Sequence, residues 1–426
     1  MPRIRSTPKG LGQALLRGRY TTAVARVEYT GIPIDVATLS SLRTHWDDIK
    51  LELVQAVDKD YGVYDGTTFK SGRFADWLAR EGIAWPRTST GRLQLDQDTF
   101  RDFAKTYPQL HPLKELRHAL SEMRLEDLAV GPDARNRCLL SPFGARTGRN
   151  TPSNTQAIFG PSVWLRGLIK PERGRSLAYI DWSCQEIAIG AALSGDAALA
   201  DAVASGDPYL AFAKRSGLAP ADATKETHSD VRDLCKVVVL GTNYGMGAQS
   251  LAYRTGLSEL EARDVLRRLA STFPTFWQWA EHVIDVATLR GHLSTVFGWP
   301  LHITELTRAT SIRNFPMQAT GSEMLRLACC LVTEAGIDVC APVHDALLIE
   351  APTSEIDDVV ATTRAAMAEA SRVVLDSLEI PTDATLVHHP DRYADPRGRV
   401  MWDRIAQLLA RCEGYEGCAR YEGCAR

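Results

Sequence analysis

Two apolar segments that meet a lone aspartate constrain the fold of this chain most. Residues Ser176 to Asp181 predict a buried strand that ends in an acid, and residues Asp338 to Glu350 predict two strands with a turn at His344–Asp345. Because desolvating an unpaired carboxylate is costly, each acid needs a partner. Mg²⁺ is one candidate, since it is held by one or two carboxylates together with substrate phosphates. On the pattern alone, turn capping or pairing with an arginine remains an alternative.

A second pattern places polar, apolar and aromatic side chains on one helix face. Arg232, Lys236, Leu240 and Tyr244 recur every four residues, a spacing that puts them on the same side of a helix. Arg suits bidentate phosphate contact and Lys suits a single oxygen, whereas the apolar and aromatic end suits a sugar and a base. A solvated basic face would have the same spacing, so this alternative also stays open. The sequence contains no GxxxxGK[ST] phosphate loop.

The remaining periodicity predicts an α+β protein in which helical blocks flank one antiparallel sheet. Helices are predicted at Val36 to Tyr61, Ser71 to Glu81, Asp96 to Tyr107, Glu186 to about Leu269, Gly321 to Ala335 and Thr353 to Leu378. Short strands joined by Gly298 and Pro300 are predicted between Leu293 and Ile303. The length of 426 residues favours roughly two or three packed subdomains.

Charge is the first property that limits the function classes. The net charge of −3 excludes a uniformly basic nucleic-acid binder but allows a local positive groove. The first twenty residues contain Arg3, Arg5, Lys9, Arg17 and Arg19 and no acid. A frayed, solvated tail is the favoured interpretation, ahead of a transit peptide or an arm that touches phosphates. At the other terminus, a short repeat of YEGCAR predicts an unstructured extension.

Hydropathy and cysteine use predict where the protein works. No stretch approaches the roughly 18 apolar residues that span a bilayer, and no apolar N-terminal run predicts secretion. The nine cysteines have neither CxxC pairs nor zinc-ligand spacing. We therefore expect free thiols, a cytoplasmic location and no membrane partner. Adjacent His388 and His389 are better explained as part of a polar loop than as metal ligands.

Together, these features resemble the family A DNA polymerases of the DNA polymerase I type. The family's first catalytic motif, usually Asp-Tyr-Ser-Gln-Ile-Glu-Leu, is matched by Asp181-Trp-Ser-Cys-Gln-Glu186-Ile. Its nucleotide-binding helix is similar to the run from Arg232 to Tyr244, and its third motif is similar to Val343-His344-Asp345. Further colinear segments are Glu28 to Asp35, Thr88 to Gly91, Thr147 to Arg149 with Asn154 and Gln156, Ser194 to Asp207, and Asn314 to Gln318. The similarity extends from about residue 20 to about residue 395.

The resemblance implies a right-hand polymerase fold with an antiparallel palm sheet and a helical thumb and fingers. The implied divisions are a basic N-terminal tail at 1–20, palm entry and helical thumb at 21–145, palm with the first catalytic motif at 146–195, fingers at 196–290, palm with the third catalytic motif at 291–395, and a C-terminal extension with the repeat at 396–426.

The activity that the resemblance implies is template-directed addition of deoxynucleotides to a primer 3′-hydroxyl, in DNA replication or repair. Asp181, the main-chain carbonyl of Trp182 and Asp345 would bind two Mg²⁺ ions. Arg232 and Lys236 would bind the triphosphate of the incoming dNTP, with Lys236 a candidate acid for the leaving pyrophosphate.

Other residues would orient the substrates by the same resemblance. Glu186 would exclude a ribose 2′-hydroxyl, while Tyr244 would pack beside it and gate the template base. Contacts with the primer–template DNA are implied for Arg149, Asn154, Gln156, Asn314 and Gln318, and contact with the primer terminus is implied for His344.

Cys184 and Gln185 alter the first motif but keep its Asp and Glu, and three further positions depart from the family pattern. Leu240 stands where the family usually has Phe or Tyr, so the incoming nucleotide loses a ring to pack on. Ala346 replaces a glutamate after Asp345, and Tyr209 replaces a histidine that contacts phosphate. We expect these changes to alter fidelity and rate more than the chemistry.

Competing hypotheses follow from the same motifs. One is a non-catalytic nucleic-acid-binding remnant, which would bind DNA in a salt-sensitive way without extending a primer. Another is a single-subunit RNA polymerase, against which Glu186 argues. About 20 residues, none of them acidic, precede the similar region, so we expect no exonuclease domain in this chain. A separate exonuclease or processivity factor remains open as a partner.

Overall fold

The structure is a computed structural model that describes residues 8–122, 125–153, 156–160 and 162–422. The helices are α1 Pro8–Thr30, α2 Val36–Thr44, α3 Trp46–Asp58, α4 Ser71–Arg80, α5 Gln97–Thr106, α6 His111–Glu122, α7 Gln185–Ser194, α8 Ala197–Ala204, α9 Pro208–Arg215, α10 Ser229–Asn243, α11 Ala248–Thr255, α12 Glu259–Thr272, α13 Pro274–Arg290, α14 Ala309–Glu334, α15 Ile356–Val374 and α16 Arg399–Glu422. The strands are β1 Ile32–Pro33, β2 Tyr64–Asp65, β3 Thr68–Phe69, β4 Arg135–Asn136, β5 Arg175–Trp182, β6 His292–Ser294, β7 Pro300–His302, β8 Asp338–Val343, β9 Ala346–Pro352 and β10 Thr382–His388.

The chain forms two compact units, each assembled from separate stretches of sequence. The first comprises Met1–Gly31, Leu139–Pro152 and Gly174–Leu386, and the second comprises Ile32–Cys138, Ser153–Arg173 and Val387–Arg426. Within the described residues, no helix is both long and apolar enough to cross a bilayer. The seven cysteines with a described environment, Cys138, Cys184, Cys235, Cys329, Cys330, Cys340 and Cys412, are free thiols, as the sequence predicts.

A four-stranded sheet with the order β10-β5-β9-β8 organises the first unit. Both β5 and β8 pair with β9 in antiparallel fashion, and β9 runs through Ala346–Pro352 with every residue but the last buried. Such a continuous apolar strand needs cover on both faces. α15 contacts β5 and β9, while α1 and α14 contact β8. This mixed architecture confirms the predicted α+β fold class.

The second unit is built around aromatic side chains. Phe74 stacks on Phe100 at a centroid distance of 5.3 Å, and Trp85 meets both rings edge-on or tilted. The Arg117 guanidinium lies 4.5 Å from the Phe100 ring centroid, a cation–π geometry that lets a charged side chain cover an apolar cluster. Large aromatic areas of this kind dominate core energetics.

The N-terminus differs from the sequence-based prediction. Residues 8–20 belong to α1, so the interpretation as a frayed tail is wrong for them. Tyr20 is 1% exposed in the core of the first unit, and Arg19 binds Glu334 bidentately at 2.9 and 2.7 Å. Packing against the core stabilises this helix where charge alone suggests a solvated segment.

The C-terminal repeat also differs from its prediction. α16 continues to Glu422, so an unstructured extension is wrong up to that residue, while residues 423–426 lie outside the described part. Glu, Ala and Arg of the repeat favour a helix, and Gly417, the glycine of the repeat that lies within α16, costs about 1 kcal/mol.

Several element boundaries differ because tertiary packing overrides local signals. α14 begins at Ala309, twelve residues before the predicted start, and contains Pro316 in its interior. The predicted helix from Val36 to Tyr61 divides at His45, and the predicted helical region from Glu186 divides into α7 to α12. Pro300 opens β7 and Gly298, at φ +76°, makes the turn, so only Gly298 joins the strands.

Candidate active site

The pairing of β5 with β9 brings the two predicted acids together. Asp181 lies opposite Ala346 in the register, so its immediate cross-strand neighbours include Asp345 at the tip of the β8–β9 hairpin. The main-chain N–H of Trp182 donates to the main-chain carbonyl of Asp345 at 3.3 Å. The predicted strand and hairpin therefore place the acids at the same end of the two central strands of the sheet.

Both turns beside these acids use left-handed backbone. His344 has φ +56° in the hairpin and Cys184 has φ +53° just before α7. For residues with a Cβ this conformation costs about 1–2 kcal/mol and is found at sites that the surrounding structure holds in place. The His344 side chain is exposed at the hairpin tip.

The environment favours the neutral form of both carboxyls. Burial, followed by the negative charges of Asp345 and Asp383, raises the pKa of Asp181 to about 6. Burial also raises the pKa of Asp345. Neither carboxylate forms an ion pair with a residue that the structure describes, which removes the arginine-pairing alternative for them.

These features fit a divalent cation held by oxygen ligands. Two adjacent, partly desolvated carboxylates are stabilised in their ionised form by a hard cation such as Mg²⁺. In the described ranges, no group of three or more His, Cys, Asp and Glu side chains could hold a metal ion. A metal at Asp181 and Asp345 would therefore need main-chain oxygens, such as the carbonyl of Trp182, and substrate oxygens to complete its shell.

Asp383 is an acid of this site that belongs to none of the sequence motifs. It lies on β10, beside β5 in the sheet, and accepts a hydrogen bond from the Ser183 hydroxyl at 2.7 Å. Its charge acts on Asp181. The sequence signal for β10 is weak because most of its residues are exposed.

The predicted helix face is formed by α10. Arg232, Lys236 and Leu240 lie on the helix, and Tyr244 caps its C-terminus. The side chain of Arg232 forms an ion pair with Asp207, and Lys236 is exposed. Leu240 is partly buried against the core of the first unit.

This face is directed towards the turn that follows Asp181. The charges of Lys236 and Arg232 both act on the Cys184 thiol, whose pKa is raised by its burial. At the other end of the helix, the Tyr244 hydroxyl donates to Glu186 on α7 at 2.8 Å. The arginine–lysine face and the first acid therefore belong to the same site.

Glu186 is fixed by two donors. The Tyr244 hydroxyl contacts both of its carboxylate oxygens, and Arg149 donates to Oε1 from Nη2 at 3.3 Å. The Gln318 side chain also interacts with the Tyr244 hydroxyl and opposes the rise in its pKa. Burial and the adjacent Glu186 carboxylate raise the pKa of Tyr244 to about 12, so the hydroxyl remains a donor at neutral pH.

A buried ion pair supports the turn that carries Arg149. Arg326 donates from Nη1 to the carbonyl of Gly148 at 2.6 Å and approaches Glu323 at 2.7 Å. Thr295 completes the group by donating to Glu323 at 2.7 Å. Because both charges are only 3% exposed, their partners must stay in place.

The remaining predicted DNA contacts are only partly brought together. Asn314 and Gln318 lie four residues apart on α14, and Oδ1 of Asn314 is buried without a hydrogen-bond donor among the described residues. Gln156 belongs to the second unit, where its side chain is exposed. Asn154 lies outside the described residues.

Comparison with known proteins identifies the family. The model of DNA polymerase family A matches residues 87–388, which is more than half of the chain. This chain belongs to DNA polymerase family A. The match includes Asp181, Asp345 and the whole of α10.

Curated relatives of this family A member include bacterial and phage polymerases. DNA polymerase I of Aquifex aeolicus is 23% identical over 399 residues, covering 88% of this chain and 66% of the relative. Thermostable DNA polymerase I of Thermus aquaticus is 28% identical, and the match covers 80% of this chain and 44% of the relative. The DNA polymerase of Mycobacterium phage L5 is 24% identical, and the match covers 78% of this chain and 55% of the relative. The family A chain therefore spans less than two thirds of the length of these relatives.

The fold also matches that of a known polymerase structure. The POL domain of Pol1 from M. smegmatis, in complex with DNA primer-template and dNTP, superposes with a TM-score of 0.72 at 23% identity. The match covers 92% of this chain and 70% of that domain. At this identity the likeness shows the fold, and it confirms the predicted right-hand polymerase architecture.

Proposed function

We propose that this family A chain is a DNA-directed DNA polymerase that adds deoxynucleotides to a primer 3′-hydroxyl. The observation that carries the proposal is the approach of Asp181 to Asp345 at a site that also contains Glu186 and the Arg232–Lys236 face. Adjacent carboxylates beside a phosphate-binding cation pair suit phosphoryl transfer, which depends on positioning and charge stabilisation.

Asp181, Asp345 and the carbonyl of Trp182 would hold two Mg²⁺ ions. When bound, such ions activate the attacking hydroxyl and stabilise the leaving oxygen. Arg232 and Lys236 would bind oxygens of the triphosphate, and Lys236 would act as the acid that protonates the leaving pyrophosphate. These roles are supported by the shared face of α10 and by its direction towards the turn after Asp181.

Glu186 and the side chains around it select the substrate. Its carboxylate is fixed by Tyr244 and Arg149, so it can exclude a ribose 2′-hydroxyl by occupying that space. Tyr244 gates the template base. Arg149, Asn314 and Gln318 contact the primer–template duplex, together with Asn154 and Gln156, and His344 contacts the primer terminus.

The proposed division follows the right-hand fold. We assign the palm entry and the helical thumb to 21–145, the palm to 146–195 and 291–395, and the fingers to 196–290. We also propose a reducing, cytoplasmic location because the described cysteines are free thiols. A separate exonuclease or processivity factor stays a prediction.

Primer extension tests the proposed function. Purified protein, Mg²⁺, dNTPs and a primer–template should give extension that is lost in Asp181→Ala and Asp345→Ala. The matched control is Asp357→Asn, which changes an exposed acid on α15 outside the site and should extend normally. DNA binding measured by anisotropy separates the alternatives, because salt-sensitive binding without extension by the unmutated chain would identify a non-catalytic remnant. Preferential use of rNTPs would identify an RNA polymerase.

A further inference from the structure

Tyr209 connects parts of the site that sequence motifs treat separately. It is the second residue of α9 and is 6% exposed, although it is a polar aromatic side chain. A buried tyrosine normally uses both its ring and its hydroxyl. Here the ring contacts Arg232 and Lys236, and the hydroxyl contacts Cys184.

The ring of Tyr209 faces both cations of α10. Arg232 Cζ lies 5.6 Å and Lys236 Nζ lies 5.9 Å from the ring centroid, within the range of a cation–π interaction. Asp207, which caps α9 through the N–H of Leu210 at 3.1 Å, also forms the ion pair with Arg232. Lys236 is exposed and forms no ion pair within the described part of the chain, and the Tyr209 ring is the aromatic group within cation–π range of its Nζ.

The hydroxyl of Tyr209 reaches the other half of the site. It interacts with the Cys184 thiol, and burial raises the pKa of Tyr209, which keeps the hydroxyl protonated. Cys184 stands three residues after Asp181, in the left-handed turn that starts α7. One side chain thus spans from the phosphate-binding cations to the turn beside the first acid.

We propose that Tyr209 is a positioning residue for the incoming triphosphate. Its ring holds Arg232 and Lys236 as a pair, and its hydroxyl fixes that pair relative to the turn after Asp181. The ring sets the affinity for the triphosphate, whereas the hydroxyl sets the distance between the bound α-phosphate and the acids. This inference rests on the proposed polymerase function and adds a residue to its nucleotide site.

Two substitutions separate the roles of the ring and the hydroxyl. Tyr209→Leu removes the cation–π contacts and should weaken dATP binding roughly 5- to 30-fold. Tyr209→Phe keeps the ring, so the Kd for dATP should stay within about twofold, while the single-turnover rate falls roughly 3- to 10-fold because the interaction of the hydroxyl with Cys184 is lost. Cys184→Ala should reproduce the Phe effect, and combining the two should lower the rate no further.

Binding is measured without chemistry by using a primer that ends in a dideoxynucleotide. The Kd for dATP is determined for the unmutated chain, Tyr209→Leu, Lys236→Met and the double variant. If Tyr209 acts through Lys236, the double variant loses less than the product of the two single losses. Tyr253→Leu on α11 is the matched control and should bind dATP normally.

The outcomes distinguish this inference from the proposed function. Suppose that the unmutated chain extends primers. If the Kd of Tyr209→Leu for dATP is then within twofold of the Kd of the unmutated chain, the inference is overturned and the function stands. The same holds if the affinity loss of the double variant equals the product of the losses in Tyr209→Leu and Lys236→Met. If the unmutated chain neither binds dATP nor extends a primer, both are overturned. Thermal melting verifies that each variant folds, and Tyr209→Met replaces the Leu variant if that one does not.

Discussion

The Tyr244 hydroxyl donates a bifurcated hydrogen bond to the two carboxylate oxygens of Glu186, at 2.8 and 3.0 Å. The two residues are on different elements, because Tyr244 caps α10 whereas Glu186 lies in the first turn of α7. A carboxylate held in this way has a fixed position rather than a range of rotamers. The position of the Glu186 carboxylate therefore depends on the position of the C-terminal end of α10. This dependence links sugar selection to the nucleotide-binding helix.

This link predicts the effect of changing either partner on sugar selection. Glu186→Ala should lower the preference for dATP over ATP on the order of 10- to 100-fold, since the pocket would then accept the 2′-hydroxyl. Tyr244→Phe removes only the hydrogen bonding to Glu186 and should lower the preference for dATP over ATP by a smaller factor. The ratio of kcat/KM for the two nucleotides measures the preference. An unchanged ratio in Glu186→Ala would remove Glu186 from sugar selection.

Asp181 should destabilise the metal-free protein at neutral pH. Its pKa is raised from 3.8 to about 6, so the folded state favours the protonated acid. The stability that this preference contributes is complete below about pH 4 and is lost as the pH rises through 6. Asp181→Asn should consequently raise the Tm in EDTA at pH 7.5, with a difference that disappears near pH 4.

Calorimetry in EDTA at several pH values measures this difference. Asp357→Asn is the control, because this acid is exposed at the start of α15. A Tm difference of equal size at pH 4 and pH 7.5 would show that the substitution acts through packing rather than through ionisation. Adding Mg²⁺ should raise the Tm of the unmutated chain more than that of Asp181→Asn, since bound metal stabilises the folded state.

Local sequence patterns predict the positions of Asp181 and Asp345, but they do not predict the side chains around these acids. The strand before Asp181 and the hairpin at His344–Asp345 were predictable because an acid interrupts an apolar run at each place. Asp383 was not predictable, because buried and exposed residues alternate irregularly along β10 and most of them are exposed. The contacts of Tyr209 depend on how α9 packs against α10, which no spacing within either helix encodes.

Gly148 should be more sensitive to alanine than another glycine with the same backbone conformation. Its φ is +75°, and an added Cβ would lie 3.0 Å from Nη1 of Arg326 and 3.2 Å from the ring of Trp299. Gly174 has φ +82° with open space around it. Gly174→Ala should cost about 1–2 kcal/mol for the left-handed backbone alone, and Gly148→Ala should cost clearly more.

Urea unfolding of both variants measures these costs. Gly148→Ala should also weaken binding of the primer–template, because the displaced turn carries Arg149, whereas Gly174→Ala should bind it normally. Equal unfolding free energies for the two variants would mean that Arg326 and Trp299 move aside at little cost, and that the turn is less rigid than its buried ion pair suggests.

Leu240 gives the most direct test of a departure from the family pattern. It lies on α10 between Lys236 and Tyr244 and is only partly buried, so a larger side chain has room to extend from the same face. Leu240→Phe would supply the ring that this family usually has there, and stacking on the incoming base should tighten dNTP binding by about 0.5–1.5 kcal/mol. That range corresponds to roughly 2- to 13-fold in Kd.

Single-turnover incorporation across a range of dNTP concentrations separates this binding effect from the rate of chemistry. Leu234→Phe is the control, because Leu234 lies on the same helix but lines a groove with Leu218 and Leu257, so the same substitution adds a ring away from the nucleotide. If Leu240→Phe and Leu234→Phe both left Kd and rate unchanged, α10 would not present residue 240 to the base, and nucleotide selection would depend on Glu186 and Tyr244 alone.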